Sequence, residues 1–438
     1  MRIAQGGIVP AEAQRAVPVP GGASLTGLDR LVILGVGFAL QFDVLTSTFG
    51  LPFMRLSDIL PFLTIPYFLL RPRILSMLLA RALPIGVVVV LLVASLLLKA
   101  DVQQGDLYLT LVLLLYFVQA TQLVILFREP AGADSFAIGT LVGFAGSLLV
   151  LVAASAGIDL TAVGLAVPTD GLEPELVLFM KDKLGGLWAA GNETGHVFAL
   201  AGASAAYLWY RTGRSVIYVA YFAGLLVSFP LTNNRAGLIL PAIVLGLILR
   251  KSVSVYAVLS GAAAVCALVM LFGATGYAPV PEQLQSAIEK RFVADSHADS
   301  NILERLDSTV AGLQLAAAHP LGLGNVAKEN QLMMMAGVGT PHNAVVTLAL
   351  QSGVLVALAF LVATFRIVLN PVRYGPLVFH TVLFMVPSLM FEELSINQVF
   401  LFGFALVLAA AAMTRSRDRA ADEAPRSGRL PSPEPPAI

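Results

Sequence analysis

Three side chains in this sequence are of types that do chemistry, each with an ordinary reading beside the chemical one: a snorkelling interfacial arginine for Arg235, a solvated charge on a loop helix for Arg305, a structural histidine for His342. Arg235 opens an apolar run in Asn233-Asn234-Arg235-Ala236-Gly237. Arg305 directly follows the helix-start pattern Asn301-Ile302-Leu303-Glu304. His342 stands in Gly339-Thr340-Pro341-His342-Asn343, just before a long apolar run. A guanidinium is a rigid fork of donors that matches a phosphate or pyrophosphate, and neighbouring Asn side chains and a helix N-terminus add further donors. An imidazole with an ordinary pKa of about 6.5 can take a proton from a hydroxyl at neutral pH. The sequence has no His and carboxylate cluster at metal-ligand spacing, which fits a chemistry of two arginines and one histidine without a metal, and no cofactor is expected.

The elements that must hold these residues are membrane helices. The 438-residue chain is 57% hydrophobic and 12% charged, with a mean hydropathy of +0.83, far too apolar for a water-facing surface. Its apolar runs are continuous and do not alternate, which predicts helices and excludes barrel strands. Spans are expected at 28–49, 56–70, 82–99, 107–127, 136–156, 194–210, 214–232, 236–250, 252–273, 343–365, 375–391 and 396–413. The reading is an all-α, polytopic bundle of about twelve transmembrane helices. The spans at 56–70 and 236–250 are short, a sign of half-embedded or tilted elements.

The balanced net charge argues against a nucleic-acid partner and hides a sided distribution. With both termini in the cytoplasm, 18 of the 27 lysines and arginines fall inside and nine outside, as the positive-inside rule requires. The expected organisation is a cytoplasmic tail (1–27), a transmembrane domain (28–413) with a long, partly helical outer loop (274–342) between the ninth and tenth helices, and a disordered cytoplasmic tail (414–438) rich in Pro. The first 26 residues hold no apolar core, so the first helix is expected to act as signal anchor. A single cysteine, Cys266, excludes an intrachain disulfide. No internal repeat of the kind common in transporters is seen.

In the long loop, Asn301, Ile302, Leu306, Val310 and Leu313 predict an amphipathic helix over 301–318, ended by His319-Pro320 and followed by a turn at Gly322 and Gly324. Arg305 shares a small, polar stripe with Asn301, Ser308 and Gly312. Weaker candidates are Glu392 and Glu393 at a helix end, Asp43 and Asp58, expected to point into the bundle, and His196 and His380, expected as interior polar contacts. The run Leu332-Met333-Met334-Met335 reads as an apolar patch on the loop.

Several stretches together resemble the O-antigen ligase and polymerase superfamily. These are Arg305 and its helix, His319-Pro-Leu-Gly-Leu-Gly324, Pro341-His-Asn343, and the apolar helix containing Gln351-Ser-Gly-Val354. Trp188-Ala-Ala-Gly-Asn192 and Asn234-Arg235-Ala-Gly237 are similar to two earlier family segments, so the resemblance spans roughly 185–365. Asn234 replaces a common Ser or Gly, and the usual Pro before Asn192 is missing. The resemblance implies metal-independent, inverting glycosyl transfer at the periplasmic face of the bacterial inner membrane. The donor would be an undecaprenyl-pyrophosphate-linked glycan, and the acceptor the lipid A core or, for a polymerase, a growing polysaccharide. By position, Arg235 and Arg305 match the family's pyrophosphate-binding arginines and His342 its base; Asn234, Asn343 and Asn192 join the substrate-binding set. A transporter or flippase of the same lipid-linked sugar is the alternative of another class, and would place ionisable residues at mid-membrane depth.

Overall fold

The computed structural model describes residues 25–43, 55–99, 102–165, 186–187, 191–232, 236–252, 298–337, 341, 343–391 and 398–414. Every extended element among them is helical. The first six helices are α1 (Gly27–Gln41), α2 (Leu56–Leu69), α3 (Pro72–Leu79), α4 (Ala82–Leu97), α5 (Gln104–Leu126) and α6 (Pro130–Ser155). They are followed by α7 (Gly191–Thr212), α8 (Ser215–Thr232), α9 (Ala236–Ser252), α10 (Ala298–Ala318) and α11 (Asn325–Ala336). The last are α12 (Ala344–Ser352), α13 (Val354–Leu369), α14 (Pro371–Tyr374), α15 (Pro376–Phe391) and α16 (Gln398–Met413).

Among the described residues, α5 and α6 are each long and apolar enough to cross a membrane. The pair α2 and α3, bent by 96°, makes a third span if taken as one. The short span expected at 56–70 is therefore one limb of a broken element. Its prolines, Pro61 and Pro66, remove two backbone donors. Glutamines of α5 meet it there: Gln119 donates to the Thr64 hydroxyl (2.8 Å) and Gln122 to the Ile65 carbonyl (3.1 Å). The expected span at 252–273 lies outside the described residues, apart from Ser252. Leucines and phenylalanines such as Leu83, Leu149, Phe365 and Leu369 are well exposed, a surface suited to lipid rather than water.

Close approach of small residues holds the bundle together. Helices α1 and α6 run parallel, and a Cβ on Gly139 would lie 2.0 Å from the Leu34 carbonyl oxygen, one on Gly143 2.4 Å from that of Phe38, and one on Gly37 2.4 Å from that of Phe136. Gly139-xxx-Gly143 is thus the small-residue contact that lets membrane helices touch backbone to backbone. Helix α16 is buried on nearly every side from Val399 to Ala410, so it reads as apolar all round rather than amphipathic. It packs along α5 and also meets α4, α13 and α15.

Four arginines collect at one end of the described helices. Arg71 pairs with Asp29 (2.8 Å), Arg73 with Glu129, and Arg211 with Asp134 (3.9 Å), while Arg128 donates to the Met413 carbonyl (3.0 Å). Asp29 also closes a capping box with Thr26 at the start of α1.

Candidate functional site

The expected loop helix exists as α10, starting at Ala298 rather than Asn301, but its faces are reversed: the predicted apolar stripe of Leu306, Val310 and Leu313 is exposed, and the small, polar stripe of Ser308 and Gly312 is buried because it packs on α12. Asp299 and Ser300 suit a first helical turn, where acidic and small polar residues are favoured. Its end at Ala318, before His319-Pro320, is as expected. One face of α10 lies on α12: Ser308, Ala311, Gly312 and Leu315 are buried, and the Thr309 hydroxyl donates to the Pro341 carbonyl (3.1 Å). A Cβ on Gly312 would fall 2.6 Å from Val346 Cγ1 and 3.0 Å from Pro341 Cβ, so glycine is what lets the two helices close. Arg305 belongs to α10, on the stripe of Ser308 and Gly312 by register; its side chain lies outside the described residues. His342 also lies outside them, between the described Pro341 and Asn343. Asn343 caps α12, its side-chain oxygen accepting the backbone N–H groups of Val345 (3.0 Å) and Val346 (3.2 Å).

Two of the sequence motifs meet directly. The run expected as one helix over 343–365 is broken at Gly353, φ +91°, and the turn at Pro320–Gly324 docks into the break. Leu323 N–H and Gly324 N–H both donate to the Leu350 carbonyl (2.6 and 3.3 Å), and Val354 N–H donates to the Pro320 carbonyl (2.9 Å). The bonds that a continuous helix makes within itself go instead to the loop. Gly322 and Gly353 allow this approach: a Cβ on the first would sit 2.8 Å from the Gly353 nitrogen, and one on the second 3.0 Å from the Leu321 carbonyl oxygen.

Asn234 and Arg235 lie outside the described residues, immediately before α9. That helix packs on α7, α8 and α15, and the Tyr218 hydroxyl donates to its Pro241 carbonyl (3.1 Å). Asn192 is placed by its backbone in the first turn of α7, its side chain outside the description. Helix α15 packs against α7, α9 and α12, so it joins the elements flanking Arg235 and Asn192 to the one that follows His342. The structure thus brings the helix of Arg305 onto Pro341 and α12 and connects the remaining candidates' elements through one shared neighbour.

Asp43 and Asp58 are buried, as their apolar surroundings require. Asp43 accepts from the Ser57 N–H and hydroxyl (2.9 and 2.8 Å) and lies 3.7 Å from Arg55; Asp58 accepts from Tyr108 (3.1 Å) and Tyr116 (3.3 Å). His380 donates from Nδ1 to the Pro376 carbonyl of its own helix (2.7 Å), a local contact. His196 has its side chain, and Glu392 and Glu393 lie wholly, outside the described residues. Met333, Met334 and Met335 are exposed on α11 while Leu332 is buried. Sequence reasoning missed the pair of Lys99 and Asp106 (3.1 Å), both buried at the α4–α5 turn. Two opposite charges framing a turn between apolar runs are the signal that could have found it.

Among the described residues, the apolar helices and their exposed apolar side chains are those of an all-helical membrane protein. Within it, residues 220–361 match the family model for O-antigen ligase, in support of the resemblance to the O-antigen ligase and polymerase superfamily. The matched stretch runs from α8 into α13 and contains Arg235, Arg305, His342 and Asn343, but not Asn192. No curated protein matches the chain.

Proposed function

We propose that this protein is a bacterial inner-membrane glycosyltransferase of about twelve spans that moves a glycan from undecaprenyl pyrophosphate to an acceptor hydroxyl at the periplasmic face, acting as an O-antigen ligase with the lipid A core as acceptor. The observation that supports the reading best is the seating of α10, the helix to which Arg305 belongs, on Pro341 and α12 through Thr309 and Gly312, with His342 next to Pro341 in sequence and all of them inside the family-matched stretch.

A lipid pyrophosphate is already a good leaving group, so the catalyst has chiefly to neutralise its charge and orient the nucleophile. Arg235 and Arg305 grip the diphosphate. His342 accepts the proton of the acceptor hydroxyl as its oxygen bonds to the anomeric carbon, and the bond from that carbon to phosphate breaks, releasing undecaprenyl pyrophosphate. Attack opposite the leaving group inverts the anomeric centre. Neither step calls for a metal.

The test is the surface-polysaccharide ladder of a deletion strain carrying His342→Ala or Arg235→Ala. Loss of all long chains from the lipid A core, with lipid-linked polymer accumulating, is the result expected of a ligase. Single repeats still attached to the core would make it a polymerase. Normal ladders from both variants would remove the catalytic assignment.

A further inference from the structure

The turn that seats the α10–α11 arm touches a second place besides the break at Gly353. Gly324, φ +91°, closes on Asp106: a Cβ there would lie 2.7 Å from Asp106 Oδ2 and 3.1 Å from Oδ1. Asp106 is in the first turn of α5, where its carboxylate accepts from Gln103 N–H (3.3 Å) and pairs with Lys99 across the α4–α5 turn. One turn beyond Gly324, Lys328 is fully buried and its N–H donates to the Gly324 carbonyl. Helix α11 packs on α5, and α12 packs on α4.

Burying charge in this way is costly and often does nothing for stability relative to apolar residues of the same size. Here it stands where a loop meets two membrane helices. The backbone joint at Gly353 fixes the arm along α12 and α13, and the carboxylate against Gly324 fixes it from the α4–α5 side. Two contacts on different helices define a seat, whereas one leaves a hinge.

We propose that Asp106, with Lys99 as its buried counter-ion, is a positioning residue: it holds the arm so that α10 keeps its place on Pro341 and α12. The consequence for the site rests on the reading that Arg305 binds pyrophosphate.

The test uses the full-length protein in nanodiscs, with Asp106→Asn, the double variant Lys99→Met/Asp106→Leu, and Arg305→Ala. The double variant removes both charges of the pair together and so separates positioning from folding. Hydrogen exchange is followed by mass spectrometry, and binding is measured with undecaprenyl pyrophosphate itself. In both Asp106 variants, peptides covering 320–324 and 350–354 are expected to lose protection while α7, α8 and α16 keep theirs. Undecaprenyl pyrophosphate affinity is expected to fall about tenfold, roughly one charge-assisted hydrogen bond. Wild-type protection at the joint, or protection lost evenly over all helices, would overturn the proposal whatever the binding. Localised loss with unchanged affinity would overturn it if Arg305→Ala does weaken binding. If Arg305→Ala also binds normally, the pyrophosphate reading of Arg305 falls and the exchange data alone uphold the positioning role.

Discussion

The side-chain oxygen of Asn343 is committed to the N-terminus of α12, which leaves only its amide N–H groups for a ligand. Asn343→Ala is expected to cost about 1 kcal/mol of stability, the ordinary value of a lost cap, and to lower transfer less than changes at its neighbour. Asn343→Ser, which keeps a capping acceptor, should restore the melting temperature. His342→Ala, in contrast, should reduce transfer by about 10²- to 10⁴-fold, the usual contribution of a general base, with little change in melting. Arg305→Lys keeps the charge but loses the planar fork, so it should still weaken the donor interaction measurably in a binding assay. If lysine serves as well as arginine, the bidentate reading of that position is wrong. These residue types are legible in the sequence because arginine and histidine beside apolar runs are expensive and need a reason. The capping role of Asn343 is less conspicuous there, though Asn just before an apolar run is a common helix start.

At the level of elements, helix positions follow from apolar runs, because a segment crossing lipid must satisfy its own backbone and can do so only as a helix. The break between α12 and α13 does not follow, since the apolar pattern runs straight through Gly353 and the cause is a distant turn donating and accepting backbone hydrogen bonds. His319–Gly324 and Gln351–Val354 stand out in the sequence as separate motifs; their contact is tertiary and has no local signature. Gly353→Ala must adopt a left-handed backbone and crowd the Leu321 carbonyl, a strain of about 1–3 kcal/mol. Limited proteolysis of the arm should accelerate in that variant while the membrane helices stay resistant. The contact of α1 with α6 is written in Gly139-xxx-Gly143 but is hard to pick out among many other glycines. Gly139→Ala puts a methyl group into the Leu34 carbonyl and is expected to destabilise the protein by about 1–3 kcal/mol, seen as a lower melting temperature in detergent.

For the whole molecule, Arg71, Arg73, Arg128 and Arg211 are tied at one end of the described helices. Orientation in the membrane follows from the positive-inside rule and is testable. With Cys266 replaced, Ile158→Cys is expected to react with a membrane-impermeant maleimide in spheroplasts and Arg214→Cys only after lysis; the reverse pattern would turn the protein over and put the proposed site on the wrong side.

Whether Arg235, Arg305 and His342 act together on one lipid diphosphate can be decided with the purified protein in liposomes, supplied with lipid-linked glycan and acceptor. Glycan transfer and donor binding are measured for His342→Ala, Arg235→Ala and Arg305→Ala in the presence of a chelator. The expected outcome is chelator-resistant transfer by the native protein, weakened donor binding in both arginine variants, and donor binding retained without transfer in His342→Ala. Native rates from any of the three variants, or transfer abolished by the chelator, would contradict it.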